Sequence, residues 1–488
     1  MTTYPIRQDF ARRWHALGTM HSGTERASAF IVLLLLVTSL EVLGVPKVLA
    51  QSPAEFWVNQ GIANANRGNF DAAILNYDKA IGLDSGFTNA FFFRGNARYS
   101  KGDYEGAIAD FTRAVGLVPN FMDAYFNRGN ARLSKDDFYG AMADYNRAIR
   151  LNPLYAPAYG SRGSTKGRLG DLDGAIEDYS RSIELDPKMS LAYVYRSDAR
   201  RIKGDLDGAV SDANRALELD PKFAQAYVNR GVARGLKGDF DGEIVDESRA
   251  IELNPKLAIG YVNRSDAKLR KADPDGAIED ASRAIDLDPK NGIAYVNRGN
   301  AKLLKGDFEG DIRDQTQAIN LLQNNGQPYS NRCTARQLAG DNNGAIADCD
   351  RAIEIDPKLE FAYVGRGNAR QARGDFQGTV ADYTRALALN PNSGPALSGF
   401  GWLLATAAQS SFRDGSQAVG YAKRACSYYG YKDAVSLRAL AAAYARNGEF
   451  DKAIEWQQKV LEDSRYTNSK EEQERLRLYR AGKAWPPD

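Results

Sequence analysis

Histidine is nearly missing from this chain of 488 residues. The two that exist, His15 and His21, both fall in the first 50 positions. The remainder therefore lacks the commonest general base and the commonest metal ligand. Cysteine is scarce as well: Cys333, Cys349 and Cys426 make no zinc-ligand spacing. There is no G-x-x-x-x-G-K-[ST] loop to cradle phosphate and no G-x-S-x-G nucleophile turn. An excess of either charge is also lacking. The net charge is +2, and the first 50 residues supply all of it, with five bases against three acids. A nucleic-acid binder normally carries a basic excess to replace counterions, so DNA and RNA are not expected partners. No enzyme activity, cofactor or metal site is expected.

The first 50 residues read as a leader. Arg12, Arg13 and Arg26 precede the apolar run ASAFIVLLLLVTSL at 27–40, and Val48 and Ala50 put small residues where a signal peptidase cuts. Cleavage is expected after Ala50, leaving an exported, periplasmic or secreted chain. The competing reading is a membrane anchor over residues 27–49, but Glu41 and Lys47 interrupt the apolar run before the ~20 residues a spanning helix needs. Membrane contact is expected only if this segment stays uncleaved.

Everything after residue 53 is dominated by self-similarity. A Gly recurs at Gly61, Gly95, Gly129, Gly163, Gly231, Gly299, Gly367 and Gly401, with Ser197, Ser265 and Cys333 filling the vacant places. Every step is 34 residues. Proline recurs in its own fixed phase, from Pro119 and Pro153 through Pro357 and Pro391. Within residues 88–121 the marks are Phe91, Gly95, Ala107, Phe111, Ala114 and Pro119. A Gly-Asp pair such as Gly102-Asp103 closes a first helix with a left-handed residue and caps a second.

This pattern resembles the tetratricopeptide repeat. The resemblance implies an all-α fold: a right-handed superhelical solenoid of stacked antiparallel helix pairs, about 12 in number. Ten regular repeats occupy 54–393, a degenerate one 394–433 and another 434–467, with a capping helix and tail over 468–488. About five residues are inserted around Gln409–Phe412, and Ser469 with Glu472 reads as a capping box. The charged KEEQERLRLYR run is expected to shield the last apolar face from water.

The sequence departs from the family in an ordered way. Arg precedes the Gly slot in repeats two to ten, from Arg94 to Arg366, and a second base follows four residues later, from Arg98 to Arg370. An Asp recurs in step on each second helix, from Asp110 to Asp382. Acids in step with bases read as an intramolecular ladder. A basic track for an acidic ligand is the competing reading. Glu243 and Asp311 replace a small Ala, and each is expected to reach a neighbouring base such as Arg230 or Arg298. Cys333 and Cys349 take two facing slots of one repeat, which makes them a candidate disulfide in an oxidising compartment and otherwise two small core residues.

By resemblance the first helices line an inner groove that takes a peptide or protein. That carries over to the slots near the Arg-Gly pair. Asn127, Asn229, Asn263, Asn297 and Asn331 stand two before the Gly slot, and Asn130, Asn300 and Asn368 one after it. Val194, Val228, Val262, Val296 and Val364 stand three before it. An amide both donates to and accepts from a peptide backbone, and the row is similar to the asparagine ladder of O-linked N-acetylglucosamine transferase. The expected function is a non-catalytic interaction scaffold in the cell envelope. The alternatives are a self-assembling structural module or a helper of envelope and outer-membrane assembly.

Overall fold

The computed structural model describes residues 52–486, so the expected leader and the cleavage expected after Ala50 lie outside the described residues. These hold 25 α-helices and no strand, in two compact parts that divide after Asn254. The first part carries six helix pairs. They are α1 (Pro53–Asn66) and α2 (Phe70–Leu83), α3 (Thr88–Lys101) and α4 (Tyr104–Leu117), α5 (Met122–Ser134) and α6 (Phe138–Leu151), α7 (Ala156–Arg168) and α8 (Leu172–Leu185), α9 (Ser190–Lys203) and α10 (Leu206–Leu219), and α11 (Ala224–Leu236) and α12 (Phe240–Leu253).

The second part continues with α13 (Ala258–Arg270) and α14 (Pro274–Leu287), α15 (Gly292–Leu304) and α16 (Phe308–Leu321), α17 (Gly326–Leu338) and α18 (Asn342–Ile355), and α19 (Glu360–Ala372) and α20 (Phe376–Leu389). It ends with α21 (Gly394–Thr406) and α22 (Gly415–Tyr428), α23 (Ala434–Arg446) and α24 (Phe450–Glu462), and the single helix α25 (Lys470–Arg480). The residues inserted before α22 include a 3-10 turn at Ser410–Phe412. Within each part every helix packs on the next, and the first helices of successive repeats also touch.

The punctuation follows from backbone chemistry. Gly102 ends α3 at φ +84°, a left-handed conformation that suits a residue without Cβ. Asp103 then accepts from the Gly106 N–H at 2.9 Å and satisfies one free donor of α4. Asp136 and Ala272 hold the same left-handed turn without glycine, at φ 58° and 57°.

One contact sets how closely each pair approaches. A Cβ on Gly95 would stand 2.7 Å from the Phe111 ring, and Gly129 and Gly367 sit likewise on Tyr145 and Tyr383. Where the first-helix slot gains a side chain, the facing aromatic is gone: Ser197 faces Ala213, and Ser265 faces Ala281. In repeat nine the same two slots are Cys333 and Cys349, joined as a disulfide with Cα atoms 5.5 Å apart. Gly365 of the next repeat lies against both sulfurs. Cys426 is a free, buried thiol.

The Arg and Asp rows meet. Asp110, Asp144, Asp178, Asp212, Asp246, Asp280, Asp314, Asp348 and Asp382 are all buried. Each accepts two bonds, at 2.6–3.1 Å, from the arginine sixteen residues earlier. The second base of the repeat adds a third contact at 2.7–3.0 Å. The remaining guanidinium nitrogen reaches back to the second helix of the preceding repeat. Arg94 meets Asp78, Arg162 meets Asn146, Arg196 meets Ser180 and Arg366 meets Asp350. An aromatic ring lies under the guanidinium, as Tyr193 does under Arg196. The hydrogen bond to Asp178 outweighs burial and pushes Arg162 above its already high ordinary pKa.

Repeat eight breaks the rule. Arg298 is engaged with Asp314 and Ser282, so it does not serve Asp311 as expected. Asp311 has no exposed surface and takes a bond from Gln315 Nε2 at 2.9 Å. Its other carboxylate oxygen has no hydrogen-bond partner among the described residues. Burial pushes its pKa up to about 6. Arg230 is likewise engaged, with Asp246 and Asn214, while Glu243 lies over the Gly235 backbone. At the end of the second part, Ser469 caps α25 as expected, but Glu472 and Arg475 are buried rather than turned to water.

Three outcomes follow from these contacts. Asp212→Ala leaves Arg196 and Arg200 without their shared carboxylate and is expected to cost about 3 kcal/mol, read as an earlier urea midpoint by circular dichroism. Gly129→Ser drives a side chain into Tyr145 and is expected to cost about 1–3 kcal/mol. Combined with Tyr145→Ala, the pairing used in repeat five, the loss should fall short of the sum of the two single losses; strict additivity would contradict the size coupling. For Asp311 the folded pKa lies above the unfolded value of 3.8, so stability falls as pH rises from about 4 to about 6 and stays low above that. Asp311→Ala is expected to add about 3 kcal/mol at pH 7.5 and far less at pH 4, measured by urea titration at both values.

Candidate protein-binding surface

The first helices separate the expected groove residues into two groups. Val194, Val228, Val262, Val296 and Val364 are buried, each with 5% of its surface or less exposed. They fill the space between repeats, because the slot points at the neighbouring first helix rather than away from it. Asn229 and Asn297 are buried too. Each donates from Nδ2 to a carbonyl of the preceding repeat, Val194 O at 3.0 Å and Val262 O at 3.1 Å. These seven positions are corrected from groove lining to joints between repeats. A buried amide in that slot must find a partner inside the protein.

Asn127, Asn130, Asn263, Asn300, Asn331 and Asn368 are half-buried. Asn127 donates to Asn96 Oδ1 at 2.9 Å, and Asn331 to Asn300 Oδ1 at 2.9 Å, so amides of successive repeats bond each other. Tyr145 and Tyr383 donate their hydroxyls to Asn130 and Asn368. The row is held in place by the fold and keeps one edge on the surface.

Four residues after the slot of Asn130, Asn300 and Asn368 stands a second one, on the same helix face. In repeats six, eight and nine it carries a leucine at least half exposed, and elsewhere residues such as Ser134, Arg168 and Arg270. In the first part Leu236 is 59% exposed. In the second part Leu304 and Leu338, one repeat apart, are 62% and 50% exposed. Phe361, at the start of α19, adds an exposed ring. Single exposed leucines are ordinary, but leucines repeating in phase beside a row of amides make a linear surface. The 34-residue step carries the signal in the sequence, because residues 304 and 338 hold the same place in consecutive repeats.

The charged rows leave little free. A surface hollow on α13 and α14 is lined by Tyr261, Arg264, Asp280, Arg283 and Asp286, and its Arg264 and Asp280 are the ladder pair. Burial raises the pKa of Asp266, which stands in the amide row with Arg270 beside it. Among the described residues no group of three or more His, Cys, Asp or Glu side chains could hold a metal ion. No helix among them is long and apolar enough to cross a membrane.

Comparison with known proteins agrees with this architecture. Tetratricopeptide-repeat family models match residues 54–87, 123–153, 161–222 and 262–319, and a TPR-repeat model matches 95–136. No curated protein sequence matches. Among solved structures, the Cut9–Hcn1 hetero-tetramer of the APC/C is similar at 15% identity, over 88% of this chain and 96% of that one, with a TM-score of 0.54. MamA is similar at 32% identity over 34% of this chain and 96% of its own, with a TM-score of 0.32. Yeast Tom70 is similar at 16% identity over 88% of this chain and 95% of its own, with a TM-score of 0.36. With helix pairs in a 34-residue register along the array, the chain belongs to the tetratricopeptide-repeat family.

Proposed function

We propose that this chain is a non-catalytic scaffold that holds an extended protein segment along the amide and leucine rows of its first helices. The observation that carries this reading is the contrast between the two kinds of row. The arginines and aspartates are consumed by one another, whereas Leu304, Leu338 and Phe361 leave much of their apolar surface exposed. The half-buried amides beside them suit a peptide backbone, and the leucines suit apolar side chains at intervals along it. The exposed leucines make the favoured ligand a segment that bears apolar side chains.

Export to the cell envelope is part of the same proposal. It is supported by the leader-like composition of residues 1–50 and by the Cys333–Cys349 bridge, a bond that persists in oxidising compartments. N-terminal sequencing of the protein recovered from the envelope or medium should read from Gln51; an intact residue 1 would remove that part.

The binding surface is tested with Leu304→Glu combined with Leu338→Glu. Both sites are exposed, so folding by circular dichroism should be unchanged. Peptides selected from a displayed random library on the wild-type chain should lose about tenfold or more in affinity for the double variant, equivalent to about 1.4 kcal/mol. Equal affinity for both proteins would place the binding surface elsewhere.

A further inference from the structure

The rows that lie open in repeats eight and nine are covered at the end of the second part. Trp402 follows Gly401 as Asn300 follows Gly299, and so stands in the amide row. Arg446 stands five residues after the Gly slot of its repeat, as Leu304 and Leu338 do, and so stands in the leucine row. The segment after α25 turns at Gly482, with φ +66°, and brings Pro486 to Arg446 and Trp485 to the Arg475 guanidinium that also faces Trp402.

The contacts have the form of peptide capture. Ala484 and Trp485 pack on the apolar cluster built by α21 to α24. The Arg475 guanidinium, itself buried and held by Glu471 and Glu472, lies 5.3 Å from the Trp485 ring centre and 5.0 Å from that of Trp402. Arg438 covers Trp402 at 4.6 Å. Arg446 donates from Nη2 to the Pro486 carbonyl at 2.7 Å and from Nε to the Ala405 carbonyl at 3.0 Å. One guanidinium thus ties the segment's backbone to the first helix of repeat eleven. A second receives its indole by cation–π contact. Trp485 and Pro486 are only half-buried, and beyond the Arg446 bond the segment is held by the packing of Ala484 and Trp485. That is a small contact for a permanent part of a core.

We propose that residues 484–486 are a ligand carried in cis. In this reading Trp402, Arg438, Arg446 and Arg475 form a site for an extended segment bearing tryptophan followed by proline. A partner with such a segment binds by displacing the chain's own. The Arg475 guanidinium reads the indole, and the Arg446 bond holds the backbone carbonyl of the residue after it, so the chain's own Trp485-Pro486 sets the form of the incoming segment. The site is separate from the leucine rows of repeats eight and nine, so failure of one test leaves the other standing.

The probe is a fluorescein-labelled synthetic peptide of residues 481–488, Ala-Gly-Lys-Ala-Trp-Pro-Pro-Asp, read by fluorescence anisotropy. A variant lacking residues 484–488 is expected to bind it with a Kd on the order of micromolar, and the intact chain about tenfold more weakly. Arg446→Ala in the shortened variant, or Ala for Trp in the peptide, should remove about tenfold or more. If the shortened variant is folded by circular dichroism and binds no better than the intact chain, the segment is only a cap and the proposal is overturned. Should the deletion unfold the last repeats, Trp485→Ala in the full chain takes its place. That variant must bind the peptide more tightly than wild type, and equal binding overturns the proposal.

Discussion

An aspartate buried in the second helix of each of repeats two to ten has to be neutralised on the spot, and the arrangement that does so sets the geometry of those repeats. Burying a carboxylate is costly unless charge and hydrogen bonds are both supplied. Arg196 shows the solution: two nitrogens on Asp212, the third on Ser180 of the preceding repeat, and Tyr193 beneath the plane. A planar five-donor group can do this and a lysine ammonium cannot. Because one side chain bonds within its repeat and across to the previous one, the angle within a pair and the spacing between pairs are coupled. This accounts for the missing Leu of the family pattern: the slot that usually supplies apolar packing supplies a staple instead.

Size matching at one contact is the second constraint. The Gly slot and the aromatic slot act as a single variable, so a Gly appears with a ring, and a Ser with an Ala. The disulfide of repeat nine is a further solution at the same place, since two slots that normally bring a ring onto a bare backbone also bring two sulfurs into bonding distance. Repeats six and eight use polar groups there instead: Glu247 and Gln315 occupy the ring position. Asp311, bonded by Gln315, keeps one carboxylate oxygen without a hydrogen-bond partner among the described residues, and burial raises its pKa.

The binding surface emerges from what these constraints leave over. On each first helix one side packs on the second helix and another on the neighbouring first helix. The remainder carries half-buried amides, some tied to one another, and four residues on a slot that is partly exposed in repeats six, eight and nine. In repeats eight and nine that slot holds leucines; in repeat twelve the place holds Arg446, bonded to the Pro486 carbonyl, and in repeat eleven the amide place holds Trp402, which shares the Arg475 guanidinium with Trp485. The array thus presents one face in two conditions, open and occupied.

The repeat, the helix boundaries and the ladder were legible in the sequence, because each rests on local periodicity. A 34-residue step, a Gly-Asp cap and acids in phase with bases need no knowledge of distant contacts. The valines, Asn229 and Asn297 were misplaced for the converse reason. A helix position has one periodicity but two neighbours, and only the packing of Val262 and Asn297 between first helices shows that this side is a joint rather than a groove. The isolation of Asp311, the linking of Cys333 to Cys349 and the return of Trp485 onto the last repeats were likewise decided in three dimensions. Sequence determined which residues recur and how often; the stacking of the helices decided which of them still face outward.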